Sequence, residues 1–402
     1  MSSLTRKVVV ALSAVVFAFV AVGYVRGRSS NEKAFRALTV YGEVLEHIQR
    51  DYVDEPNMPA VTNGALHGLL DSLDPHSSYL SPLEYADYKQ KSASGAKAGT
   101  GLVLTRRFGY ISVIATLPGS PAEKAGLHLG DVLEKIAGFT TGQMAIEQAQ
   151  LLLTGEAGTT VPLSVIRRGK TEPQELQITL EKLVPSKLVE DRLEGDIAYL
   201  HVSAFDAGEA KQIRERLIQL DHQGAHKLML DLRDCAVGSD QEGIATAQLF
   251  LSSGTITTLK GQTVDPQVSS ADPSKVVWTQ PVTVLIGNTT AGPAEIVASA
   301  IADNQRGETI GDRTYGTASY QKLIELDDGS ALFLTLANYY TPKDREIPID
   351  GVTPTAPVRS LPDDIAQLSG TNPPAASSSV NDPVVKKAVE ILEAAPAARK
   401  AA

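Results

Sequence analysis

The stretch VTVLIGNTTAGPAEIVASA, Val282 to Ala300, decides how the chain reads. Its first part is an uninterrupted apolar run, the pattern of a strand buried on both faces. Small residues follow in a sharp turn, and a helical segment then begins. Strand-to-helix turns of this kind hold the nucleophile in many hydrolases. Here Gly292, Pro293 and Ala294 stand where a reactive side chain is expected.

Around this stretch, from about residue 195, strands alternate with helices. DIAYLHVSAF precedes AGEAKQIRERLIQLDHQ, KLMLDLR precedes QEGIATAQLFL, and PVTVLIG precedes PAEIVASAIADNQ. KLIELDDGSALFLTLANYYT reads as a hairpin turning at Asp328-Gly329. The alternation argues an α/β core with a mixed sheet, assigned to 184–365. Upstream, 31–90 is helical. AFRALTVYGEVLEHIQRDYV places Phe35, Leu38, Tyr41, Leu45 and Ile48 near one face, and Leu66, Leu69, Leu70 and Leu73 continue the pattern. DPHSSYLSPLEY interrupts it as a loop or cap, with His76 in a capped turn. KSASGAKA, 91–98, reads as a flexible joint. A compact module follows over 96–183. It has a hairpin-like GLVLTRRFGYISVIATL, a short helix in GSPAEKAG, an amphipathic helix in QMAIEQAQLLLTG, and strands in TTVPLSVIRRG and QELQITLEKL. Past the core, 366–382 is a low-complexity linker, and 383–402 holds a short helix, PVVKKAVEILEAA, capped by Asp382.

The 402 residues suffice for two or three domains. A net charge of −10 offers no basic stripe for phosphates and argues against a nucleic-acid binder. A single cysteine, Cys235, excludes an intrachain disulfide. The seven histidines are scattered and give no metal-ligand spacing, so no metal or cofactor is expected. At the N-terminus, Arg6 and Lys7 precede an uncharged run from Val8 to Tyr24, at the lower limit of length for crossing a bilayer. A cleaved signal peptide and a retained anchor compete. A convincing small-x-small cleavage site is missing, and Tyr24, Val25 and Arg26 follow directly, which favours an uncleaved transmembrane anchor within 1–30. Either way the remaining domains face out of the cytoplasm, on the periplasmic side of an inner membrane.

Several segments together resemble one family, the C-terminal processing peptidases, or tail-specific serine proteases. LDSLDPHSSYLSPLEY resembles its N-terminal helical segment and GSPAEKAGLHLGDVL its PDZ domain. GDRTYG, DDGSALFLTLANYYTP and IPIDGVTPT are similar to its catalytic core, and DPVVKKAVEIL to its closing helix. The resemblance implies a protease-like α/β core with an inserted PDZ domain, and a serine nucleophile paired with a lysine base. The serine sits in a T-A-S-A-S-E turn and the lysine in a T-F-G-K-G-S-V-Q stretch. A desolvated lysine loses its charge readily, so that its neutral amine accepts the serine proton. A glutamine orients that lysine, and backbone N–H groups, partly from a D-L-R-N-N-P-G-G loop, hold the oxyanion.

Position by position, this chain departs from that pattern. Counting back from Glu295, the nucleophile position is Gly292, and the motif's second serine is Ala294. The base position is Thr317, while the orienting glutamine, Gln321, is retained. In the oxyanion loop, Asp231 to Gly238, the proline is Ala236 and the first glycine of the pair is Val237, followed by Gly238. Valine resists positive φ, so an N–H that depended on it would point elsewhere. Loss of the acting unit alone removes roughly a millionfold in rate, and threonine is no base near neutral pH. These departures lead to the expectation of a pseudoprotease. Thr289, Thr290, Ser299, Ser319, Cys235 and Lys343 are the substitutes an active enzyme would have to use. For each a bland role fits better: turn former, packing residue, buried thiol or solvated lysine.

Without catalysis the PDZ module would still bind polypeptide C-termini by strand addition at a sheet edge. By resemblance the carboxylate loop and receiving strand are Thr100, Gly101, Leu102 and Val103, and the far wall is the helix around Ala149. Leu102, Leu104 and Ala149 would favour an apolar terminal residue, unless they simply fill the module's core. The expected partners are polypeptide C-termini, an active protease relative or a second copy, and the membrane through the N-terminal helix. An active serine protease and a purely structural, oligomerising core are the alternatives.

Overall fold

A computed structural model describes residues 35–94, 98–107, 109–142, 144–167, 169–183, 188–192, 196–358 and 382–394. The expected anchor and most of the linker lie outside these residues. Among the described residues no helix is long and apolar enough to cross a membrane. The chain divides after Ala65 into two compact units. The first contains a helix over 35–51, held by backbone and i,i+4 contacts such as Arg50 with Glu46. Phe35, Leu38 and Tyr41 on it are exposed.

The second unit is built around two sheets and a third, separate one. The central sheet runs in the order Val189–Arg192, Ile197–His201, Lys227–Asp231, Val282–Ile286, Glu308–Gly311, Ala356–Pro357. Its first pair is antiparallel and the rest are parallel. Successive side chains of a strand point to opposite faces, and both faces here are covered. Ala198, Leu200, Leu228, Leu230 and Val284 pack with Ile213, Leu217, Val297 and Ile301 from the helices Glu209–His222 and Pro293–Asp303. The alternate residues Ile197, Tyr199, Met229, Leu285 and Ile310 pack with Val384, Val385, Ala388 and Leu392 of the helix Pro383–Ala394. Burial on both sides is why KLMLD and VTVLI read as unbroken apolar runs.

A second sheet contains the expected hairpin, Ser319–Glu325 with Ala331–Tyr340. Gly329 takes φ +85° in its turn, and the Asp328 carboxylate accepts from the Ser330 N–H at 3.0 Å. Ser78–Leu80 also joins this sheet, pairing with Ala331–Phe333. The sequence pattern places this segment in a loop, and the difference has a local cause. Asp74 accepts from the N–H groups of His76 and Ser77 (2.8 and 2.7 Å), turning the chain so that the next three residues meet the hairpin. Of the joint expected at 91–98, residues 91–94 are helical, 95–97 lie outside the described residues, and Ala98 opens a short strand paired with Thr154–Gly155. The helix Pro82–Ser94 continues through Lys91, which pairs with Asp87 one turn earlier at 2.8 Å.

The third sheet, ordered Leu102–Arg107, Tyr110–Thr116, Val132–Ile136, Thr160–Ile166, Gln174–Thr179, is antiparallel throughout. Its core of Leu104, Ile111, Leu133, Leu163 and Ile178 is closed by Ile146 and Ala149 of the helix Ile146–Leu152. Ser120 caps the short helix Pro121–Lys124 by accepting from the Glu123 N–H.

Candidate functional site

Strand Val282–Ile286 leads into the turn 287–292, and helix Pro293–Asp303 starts immediately after it. Gly292 caps this helix at φ +57°, ψ −122°. An L side chain is strained there, and strained backbone of this kind marks nucleophile turns. The sharp elbow is therefore present, and glycine relieves its strain. A Cβ at 292 would have one near neighbour, Thr317 Oγ1, at 3.9 Å. There is room for a side chain at this point, so the strain is in the backbone rather than in crowding. Replacing Gly292 by alanine is expected to lower stability by about 1–2 kcal/mol, read as a shift in the urea midpoint at unchanged slope.

The structure brings Gly292 and Thr317 together, but through the wrong atoms for nucleophile and base. The Gly292 N–H donates to Thr317 Oγ1 at 3.0 Å and to Glu295 Oε2 at 2.9 Å. Glu295, fully buried, also accepts from the N–H groups of Gly316 (2.6 Å) and Thr317 (2.8 Å) and from Thr314 Oγ1 (2.5 Å). Burial pushes its carboxyl up, and these donors pull it back. One carboxylate thus ties the elbow to the segment 314–317. Gln321 lies on the strand beyond, opposite Thr335 across the ladder.

The loop 231–238 joins the same construction. The Ala291 N–H donates to the Cys235 carbonyl at 2.9 Å, and the Asp234 N–H to Thr289 Oγ1 at 3.2 Å. Gly238, at φ +125°, lies so close to Phe205 that a Cβ would fall 2.3 Å from its carbonyl oxygen. Val237 is outside the left-handed region, and its carbonyl accepts from the Phe205 N–H at 2.9 Å.

Each of the substitute residues has a place in the fold. Thr290, fully buried, donates to the Leu232 carbonyl at 2.9 Å. Ser299 donates to the Ile296 carbonyl within its own helix. Ser319 sits in the strand ladder opposite Asn338. Lys343 faces Asp303 at 3.6 Å. The Cys235 thiol is buried, and burial together with nearby carboxylates pushes it up, the reverse of what a thiolate nucleophile needs. Among the described residues no group of three or more His, Cys, Asp or Glu side chains is placed to hold a metal ion.

Beside this loop lies a titrating carboxyl. Glu209 is buried, and desolvation with the neighbouring charges of Asp206 and Glu242 raises it to about 7. A raised carboxyl favours the protonated fold. Its contribution is complete below the ordinary carboxyl range and is lost as pH rises through about 7. Stability is expected to fall between pH 5 and 8 by at most about 3 kcal/mol from this group. The fall should flatten in Glu209→Gln, measured as the melting temperature against pH.

In the separate antiparallel sheet, Leu102–Arg107 is an edge strand that pairs only with Tyr110–Thr116 among the described strands. Gly101 precedes it at φ +77°, where a Cβ would collide with Ser120 Cβ at 2.3 Å. Thr100 is buried and its N–H already donates to the Leu153 carbonyl at 3.1 Å. Leu102 is half-buried against the module's core, whereas Leu104 and Ala149 lie within that core. Val103 faces the other way. With Ile114 and Ala115 it packs on Ala291, Ala236 and Tyr315, so this module rests against the elbow and its flanking segments.

An elbow, its partner segment, a glycine-bearing loop and an edge-strand module now stand in one architecture. The carboxy-terminal-processing protease of Bartonella bacilliformis is 31% identical over 331 residues, covering 81% of this chain and 76% of its own. The chain belongs to the C-terminal processing peptidases. Consistently, the peptidase family S41 model matches residues 196–358 and a PDZ domain model matches 113–167. The carboxyl-terminal-processing protease of a Synechocystis strain is 33% identical over 301 residues, covering 73% of this chain and 70% of its own. Among solved structures, the photosystem II D1 C-terminal processing protease superposes with a TM-score of 0.66 at 25% identity, covering 80% of this chain and 92% of that one.

One feature of this peptidase elbow escaped the sequence pattern. In the sequence Glu295 marks only a position in the turn motif, yet its carboxylate joins the two facing segments. The signal was its place at the third position of the helix, where a glutamate reaches back to the capping N–H.

Proposed function

We propose that this chain is a membrane-anchored, extracytoplasmic member of its peptidase family that does not cleave peptide bonds and binds polypeptide C-termini through its PDZ domain. One observation carries the proposal. At the elbow a backbone N–H, not a side-chain hydroxyl, meets residue 317, and the acceptor there is a threonine oxygen rather than an amine. No proton can pass from nucleophile to base through that pair. The open edge of Leu102–Arg107, with half-buried Leu102 beside it, supports capture of an extended segment ending in an apolar residue. The uncharged run Val8–Tyr24 after Arg6 and Lys7 supports an inner-membrane anchor with the folded units on the periplasmic side. A partner that fits this arrangement is an active relative or a second copy, with the PDZ domain presenting a bound chain.

The alternative, an active protease using substitute residues, has less support, since Thr290, Ser299 and Cys235 are all buried. The two are separated by incubating the full chain, in mild detergent, with a fluorescent peptide ending in an apolar residue. Saturable binding with no shorter product by mass spectrometry supports the proposal. Product formation that disappears in Cys235→Ala or Thr290→Val would establish the alternative.

A further inference from the structure

In an acyl-transfer elbow the developing oxyanion is held by backbone N–H groups. One of them is the N–H of the residue after the nucleophile, which opens the helix. The first N–H groups of a helix have no partner within it, which is why they are available for this work. Here the residue after position 292 is Pro293, the first residue of the helix Pro293–Asp303. Proline carries no N–H. The N–H on its other side, that of Gly292, is engaged by Glu295 and Thr317. Pro293 is itself buried and tightly placed: a Cβ on Gly243 of the neighbouring helix would fall 2.6 Å from its carbonyl oxygen.

We propose that Pro293 is a separate block on acyl transfer at this elbow, so that restoring a hydroxyl at 292 and an amine at 317 does not restore chemistry while the proline remains. The inference rests on the inert elbow proposed above. It also gives the proline a physical rationale. Glycine as the helix cap and proline at the first helical position suit a helix start that no longer has a reaction to serve.

The test compares three forms of the full chain in mild detergent: the native chain, Gly292→Ser with Thr317→Lys, and that pair with Pro293→Ala. Each is mixed with p-nitrophenyl acetate. In a competent elbow the introduced hydroxyl attacks the ester carbonyl and its proton passes to the introduced amine. The carbonyl–oxygen bond then breaks to release p-nitrophenolate, leaving an acetyl group on the protein. The readouts are the burst of p-nitrophenol and the acetyl adduct mapped to residue 292. Loss of one oxyanion donor typically costs about 100- to 1,000-fold in rate. The triple form should therefore acylate at least about 100-fold faster than the double. A double form that acylates within a few-fold of the triple would overturn the proposal, as would a folded triple form that stays unacylated. Acylation of the native chain at the elbow would instead overturn the inert reading, and is scored separately. A second variant covers the case in which the multiple forms do not fold. In Pro293→Ala alone, the introduced amide should exchange with solvent deuterium at an unprotected rate. Strong protection would mean that the protein consumes that N–H itself, and the proposal would fail.

Discussion

Replacing Arg233 by methionine is expected to destabilise the fold by about 3–5 kcal/mol, the cost of stranding a buried charge. By resemblance Arg233 belongs to a loop that serves the oxyanion, but its contacts in the structure are architectural. Its Nη2 and Nε reach Asp231 Oδ2 at 2.6 and 3.1 Å, and its Nη1 reaches Asp382 Oδ2 at 2.5 Å. Asp231 ends a central strand and is fully buried, with Tyr199 donating a further bond at 2.8 Å. Burial alone would push the Asp231 carboxyl up, and the Arg233 guanidinium reverses this and holds it below the usual carboxylate range. Asp382 caps the closing helix through the Val384 N–H at 2.8 Å. One planar fork therefore fastens the last helix to the sheet across a long stretch of sequence. Urea unfolding should show the loss. Arg233→Lys should recover only part of it, because a point charge cannot address both carboxylates as a fork does. Limited proteolysis should cut ahead of Pro383 sooner in the methionine variant.

A loss of similar size, about 3–5 kcal/mol, is expected for Glu295→Ala. That change leaves three N–H groups and the Thr314 hydroxyl without their shared acceptor, the buried Glu295 carboxylate. Cavity formation adds to the cost. Glu295→Gln keeps the shape but turns an NH2 group toward part of a ring of donors, and a smaller loss of about 1–2 kcal/mol follows. Unfolding curves give the magnitude. Amide exchange gives the place: Gly316 and Thr317 should lose protection first in the alanine variant, before the central strands do. A general loss of protection would point to a global effect instead.

Much of this architecture is legible in the residues. The strands KLMLD and VTVLI are apolar throughout because both faces of the central sheet are covered, and the pattern reports that burial directly. The turn at Asp328-Gly329 and the cap at Asp382 are local chemistry, visible from a few neighbouring positions. The segment Ser78–Leu80 is different. Its strand exists only because a hairpin more than two hundred residues later offers an edge, and no local pattern carries that. The same limit hides the fork from Arg233 to Asp382 and the orientation of Val103 toward Ala291 rather than toward the module's own core. At the elbow, counting along the sequence brings Gly292 and Thr317 into correspondence with reactive positions. It does not show that the two are hydrogen-bonded through a main-chain N–H, or that Glu295 has become the residue on which both segments depend.

On the proposed function, the elbow keeps its shape without a reactive group. The most direct measurement is treatment of the full, folded chain with a fluorophosphonate probe, followed by intact mass and peptide mapping. An inert elbow gives no phosphonylated residue in 286–321 and leaves an unfolded protein substrate intact on prolonged incubation. A stoichiometric adduct on Thr289, Thr290, Thr317 or Ser319, accompanied by substrate cleavage that the adduct abolishes, would contradict it.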